Sequence, residues 1–115
     1  MASIEDVRSF ALTLPRAYEA IVRDRVKFRV GRIVFIAFSR DETEMGFGYP
    51  REERDALVAS APAKFFMPAP RDLRYQWVEC WIARVDLDEM EELVFDAWAM
   101  CVPKGLAAEQ RLRRR

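Results

Sequence analysis

Alternation of charge and hydrophobicity with a period of two is the tightest constraint on this chain. Arg23, Arg25, Lys27 and Arg29 stand on alternate positions, and Val26, Phe28 and Val30 occupy the opposite phase. Successive side chains of an extended strand point to opposite faces, so the pattern gathers the cations into one stripe and sends the apolar side chains into a core. Gly31-Arg32 follows, with glycine at the first central position of a type II′ hairpin turn. The run Ile33 to Phe38 is apolar on both faces and reads as a central strand. A chain written this way builds an antiparallel sheet.

Composition sets the scale of the rest. A chain of 115 residues, 51% hydrophobic and 33% charged, is suited to one ordered domain, expected over residues 1–106 with a basic C-terminal tail over 107–115. Nineteen basic and nineteen acidic side chains cancel, so attraction to a polyanion must come from local charge separation. No apolar run approaches the ~20 residues that cross a bilayer. The first residues, with Glu5 and Asp6, lack the basic then apolar order of a signal peptide, so a cytoplasmic location without membrane contact is expected. Cys80 and Cys101 are the two cysteines, and without CxxC spacing they read as reduced core thiols.

Ile4, Val7, Ala11 and Leu14 recur at helical spacing behind Ser3, with Asp6 completing a capping box, so the first helix is expected from Ser3 to Leu14 and Pro15 stops it. The segment from Tyr18 to Val30 is expected as extended chain. Asp41-Glu42 marks a turn, and Met45, Phe47 and Tyr49 alternate with Glu44, Gly46 and Gly48, where paired glycines imply close approach of another element. Pro50 with Glu52 and Glu53 opens a second helix to about Ser60. Lys64 to Tyr75 reads as a loop tied down by Phe65 and Phe66. Gln76 to Val85 reads as a strand with Val78, Cys80 and Ile82 on one face and Trp77, Glu79 and Trp81 on the other. Asp86 then caps a third helix, apolar around much of its circumference, that ends before Pro103. The expected architecture is α+β, an antiparallel sheet of four to five strands packed by three helices.

The run Phe10-Ala-Leu-Thr-Leu-Pro15, the segment Phe28 to Ile36, the Phe65-Phe66-Met67-Pro68 loop, Trp77, Asp96-Ala97-Trp98 and Val102 to Leu106 together resemble the MmcQ/YjbR family of small bacterial proteins. The resemblance implies a CyaY-like α+β fold, described as a double-wing motif, and a DNA-binding role that rests on fold analogy. Many relatives carry a histidine in the segment matching Val22 to Lys27; this chain has none anywhere, so no role of that imidazole carries over. The family supplies no catalytic residue to transfer.

Without histidine the chain lacks the commonest general base near neutral pH and the commonest zinc ligand. Ser39, Ser60, Cys80 and Cys101 have no base at a motif spacing, and no GxSxG or phosphate loop appears. A noncatalytic protein without metal or cofactor is therefore expected. The acids around Asp41 and after Asp86 read as turn and helix-start residues. Two binding surfaces remain. Arg23, Arg25, Lys27, Arg29 and Arg32 form a basic hairpin suited to weak, sequence-nonselective DNA binding; the plainer reading is a solvated face or an edge strand guarded by charge. Tyr49, Phe66, Trp77 and Trp81 form the alternative, an aromatic-lined pocket for a small flat ligand, unless a helix covers the tryptophans and makes them core. The chain is expected as a monomer or a homodimer.

Overall fold

In a computed structural model, which describes residues 1–114, the Ser3–Asp6 capping box is present in full. The Asp6 carboxylate accepts from the Ser3 backbone N–H at 3.0 Å, and helix α1 runs Ile4–Ala11. Among the described residues the chain then forms β1 (Ala17–Val22), β2 (Arg25–Val30), β3 (Ile33–Phe38), β4 (Glu44–Gly48), α2 (Arg51–Ser60), β5 (Phe65–Phe66), β6 (Trp77–Trp81), α3 (Leu87–Ala99) and α4 (Lys104–Arg113). The strands make one sheet of order β1-β2-β3-β4-β6-β5, antiparallel throughout. The α+β class is as expected, but with six strands and four helices instead of four to five and three.

The additional elements have local causes. The segment from Tyr18 to Val30 is not one strand, because Arg23 and Asp24, with φ of 53° and 67°, turn it into the hairpin β1–β2. Two successive residues in the left-handed region are the mark of a type I′ turn, which usually uses Asn-Gly. Arg23 is therefore a turn residue and not part of the stripe. Gly31, at φ 60°, makes the second hairpin turn as expected. β2 lies second in the sheet with a neighbour on each side, so its charges do not guard an edge. Phe65 and Phe66, expected in a loop, pair with Cys80 and Glu79 as the short edge strand β5. Residues 107–113 of the basic segment continue α4, and at its C-cap Arg114 lies over the rings of Phe10 and Phe95 and pairs with Glu91 and Glu92 on α3; Arg115 lies outside the described residues.

Cross-strand partners share a face, so the pairings Phe28↔Ile36↔Phe47↔Val78 and Phe38↔Met45↔Cys80↔Phe65 trace the buried side of the sheet. Each of these side chains is buried. α3 packs on β3 and β4 and meets α1. Its Trp98 is fully buried and donates its indole N–H to Pro15 O at 2.9 Å. Asp86 accepts from the Glu89 backbone N–H at 2.8 Å, the expected cap of α3.

Arg54 on α2 is buried, yet it has no carboxylate partner among the described residues. Its guanidinium donates to the carbonyls of Leu73 and Tyr75 at 2.9 Å and of Trp77 at 3.3 Å. A single side chain thereby ties the incoming loop and the start of β6 to α2. Arg54→Ala leaves these carbonyls without their donor and is expected to lower the free energy of unfolding by about 3 kcal/mol, measured by urea denaturation.

Candidate functional site

The face of the sheet that alternates with the buried one carries Arg25, Lys27 and Arg29 from β2, Ala37 from β3, Glu44, Gly46 and Gly48 from β4, Trp77, Glu79 and Trp81 from β6, and Phe66 from β5, and α3 reaches it at the end of β4, where Ala97 approaches Gly48. The register Lys27↔Ala37↔Gly46↔Glu79↔Phe66 runs directly across it. Beyond Ile36↔Phe47 the β3–β4 pairing stops, and a bulge between Phe28 and Arg29 leaves Phe35 as the extra residue of β3. The face becomes a concavity of about 860 Å³ whose wall is the loop between β5 and β6, contributing Met67, Asp72, Tyr75 and Gln76. At its far end it reaches Met100 and Cys101 just beyond α3. Neither α1 nor α2 contributes to its lining.

Glu79 lies at the centre of this floor. The Trp77 indole N–H donates to Glu79 Oε2 at 2.8 Å, and the indole lies across β4 where Gly46 has no side chain. A Cβ at Gly46 would sit 2.4 Å from Trp77 Nε1 and 2.8 Å from Glu79 Oε2. Glycine is required here for space, which explains the close approach expected of the glycine pair. At Gly48 the neighbour is Ala97 of α3, at an ordinary 3.7 Å. Burial pushes the Glu79 carboxyl up from 4.5 to about 7; the indole hydrogen bond and Arg25 oppose the shift, while Glu44 and Asp72 add to it. Glu79 Oε1 makes no hydrogen bond within the described residues.

The structure separates the residues singled out from the sequence. Arg25 and Lys27 line the concavity; Arg29 lies on the same face, with its Nε buried and unpartnered; Arg23 and Arg32 occupy the turns at the two ends of β2. None of the five is in an ion pair among the described residues. Trp77 and Phe66 line the concavity, whereas Trp81 is outside it, exposed and packed against the Phe66 ring at 5.0 Å. Trp77 is half-buried and Trp81 exposed, so neither is a core side chain. Tyr49 is on the other side, half-buried against the Phe47 ring, with Glu53 of α2 and Asp96 of α3 near enough to add to the rise in its pKa that burial causes. An aromatic site built from all four residues is thus not assembled.

Glu79 is the residue that sequence reasoning passed over, treating it as a spacer between two tryptophans. The available signal was a carboxylate alternating with indoles on a strand whose other face is wholly apolar. Ser39 also borders the concavity, but its hydroxyl donates to Asp41 at 2.8 Å and accepts from the Glu44 N–H, so it serves the β3–β4 turn. Burial raises the pKa of both thiols, to about 12 at Cys80. No three carboxylate or thiol groups converge on a metal-sized site among the described residues.

Two outcomes test this arrangement. Gly46→Ala forces the indole off β4 and is expected to destabilise the fold by about 1–3 kcal/mol, the usual cost of overpacking, read from denaturant midpoints. The folded chain holds the Glu79 proton more tightly than the unfolded chain does, so stability contributed by that proton is complete below pH 4.5 and is lost as pH rises to about 7. In Glu79→Gln that loss is absent, and thermal melts above pH 7 should show the variant more stable than wild type.

Comparison with known proteins places the fold in context. The crystal structure of the Deinococcus radiodurans protein DR2400, with a DUF419 domain, is similar at a TM-score of 0.77 and 18% sequence identity, covering 91% of this chain and 82% of that one. No curated protein matches the chain. The YjbR family model matches residues 12–100, which takes in β1 through α3 and every element that lines the concavity. By that match over most of its length, the chain belongs to the YjbR family.

Proposed function

We propose that this protein is a noncatalytic nucleic-acid-binding domain that takes DNA weakly and without general sequence preference on the open sheet face. The observation that carries the reading is that Arg25, Lys27 and Arg29 share one face of β2, with Arg25 and Lys27 lining the concavity, and that no carboxylate pairs with them among the described residues. Alternate residues of a strand repeat about every 6.7 Å, close to the phosphate spacing along one DNA strand. Without ion pairs among the described residues, these cations are available to an external anion.

The same face favours an unpaired strand over a duplex. Glu44, Asp72 and Glu79 lie on the β4–β6 side of the concavity and repel a second line of phosphates, while Trp77 and Phe66 on that side offer stacking surface to bases. Phosphates then track β2 and bases turn inward. The concavity also supports the smaller reading, a pocket for a flat ligand, because its volume of about 860 Å³ and its mixed aromatic and charged lining suit a small molecule.

Fluorescence anisotropy with labelled oligothymidylate and with a duplex of equal length tests the proposal. The single strand is expected to bind more tightly than the duplex. Arg25→Ala/Lys27→Ala/Arg29→Ala is expected to reduce the slope of log affinity against log salt by about 0.7 for each phosphate that the variant no longer neutralises. Equal binding and an equal slope for wild type and the triple variant would refute it.

A further inference from the structure

The concavity holds one group that a nonselective strand-binding surface does not need. Glu79 is fixed by the Trp77 indole N–H through Oε2 at 2.8 Å, which leaves Oε1 without a partner on a floor lined by aromatic rings. An ionised carboxylate is an acceptor only. It therefore pairs with a ligand edge that presents donors and repels one that presents lone pairs.

Among the nucleobases this requirement is selective. The Watson–Crick edge of guanine places a ring N–H beside an exocyclic amine, two adjacent donors. Adenine and cytosine set a donor next to an acceptor, and thymine and uracil flank their one donor with two carbonyls. Only guanine offers a carboxylate two neighbouring donors with no acceptor between them. The row Lys27↔Ala37↔Gly46↔Glu79 is consistent with a nucleotide in size. It spans three strand spacings, about 14 Å, and because the Trp77 indole already covers Gly46 the base lies on the indole face above that residue. Arg25 lines the same concavity as Glu79, so a cation for the phosphate and an acceptor for the base face one space.

From this geometry we infer that the concavity is a binding site for an unpaired guanine nucleotide, with the base stacked on Trp77, its donor edge on Glu79 and its phosphate at Arg25 and Lys27. This inference rests on the nucleic-acid reading above and adds to it a single base-selective position. Contacts to phosphate position a strand, whereas contacts to a base edge specify it. Glu44 from β4, Asp72 from the β5–β6 loop and Arg25 from β2 act on the Glu79 carboxyl, and Lys27 from β2 with Arg71 and Tyr75 from the loop line the same concavity.

The test is quenching of tryptophan fluorescence by guanosine, inosine, adenosine and cytidine 5′-monophosphates. The guanine nucleotide is expected to bind at least about tenfold more tightly than the others, as a hydrogen bond to a charged group implies. The inosine nucleotide, which lacks the exocyclic amine, isolates that donor. The preference for the guanine over the adenine nucleotide should grow as pH rises from about 6 to about 8, while Glu79→Gln should lose both the preference and its pH dependence, keeping only the pH effect of the phosphate shared by all four ligands, with its fold intact by circular dichroism. Similar binding by the four nucleotides, or a guanine preference that survives in Glu79→Gln, overturns the inference. The difference between the pH profiles of the guanine and adenine nucleotides, which cancels the second ionisation of the phosphate at about pH 6, decides the matter even if the variant fails to fold, since a difference that does not change with pH also overturns the inference. Oligothymidylate binding without any guanine preference removes this site and leaves the strand-binding reading. Guanine nucleotide binding without oligothymidylate binding does the reverse.

Discussion

The indole of Trp77 lying across Gly46 is the contact on which the open face depends. A sheet face opposite the buried one normally carries solvated side chains on every strand. Here β4 instead offers a gap, and the indole fills it while donating to Glu79 at 2.8 Å. The aromatic wall and the carboxyl beside it are therefore set by the same absence of a methyl group. Burial on this floor raises the Glu79 carboxyl to about 7, and the indole hydrogen bond only partly offsets the shift.

Two features hold this contact in place from outside. Arg54 gathers the carbonyls of Leu73, Tyr75 and Trp77, so the loop that forms the wall of the concavity and the strand that carries Trp77 are anchored to one helix. On the other side the splay of β3 from β4 beyond Ile36 opens the floor toward the residues that follow α3. The cations of β2 complete the face. Their freedom from ion pairs contrasts with the C-terminal arginines, of which Arg111, Arg113 and Arg114 each pair with an acid. The arrangement separates arginines engaged with acids from cations that have no ion pair among the described residues.

Much of this was legible in the sequence because it depended on local periodicity. The capping box at Ser3, the Gly31 turn, the two faces of β6 and the cap and burial of α3 all follow from spacing within one element. What escaped depended on contacts between elements or on unusual local chemistry. Arg23-Asp24 adopts a turn conformation that its residue types rarely signal. β5 is two residues long and exists only because β6 lies beside it. Arg54 sits in a helix of mostly exposed charges, and only the carbonyls of a distant loop make its burial tolerable. Glu79 belongs to the same class, since its character comes from β4 and from the loop above it. Tyr49 follows the alternation of β4 but lies past its last residue, where the chain turns toward the helices.

A site-resolved titration of the Glu79 carboxyl carbon by nuclear magnetic resonance, followed together with the Trp77 indole N–H signal, probes the shielded pair most directly. Both resonances are expected to move with one midpoint near pH 7, as a shielded carboxyl joined to that indole requires. A midpoint near the ordinary 4.5, or an indole signal that does not respond, would contradict it.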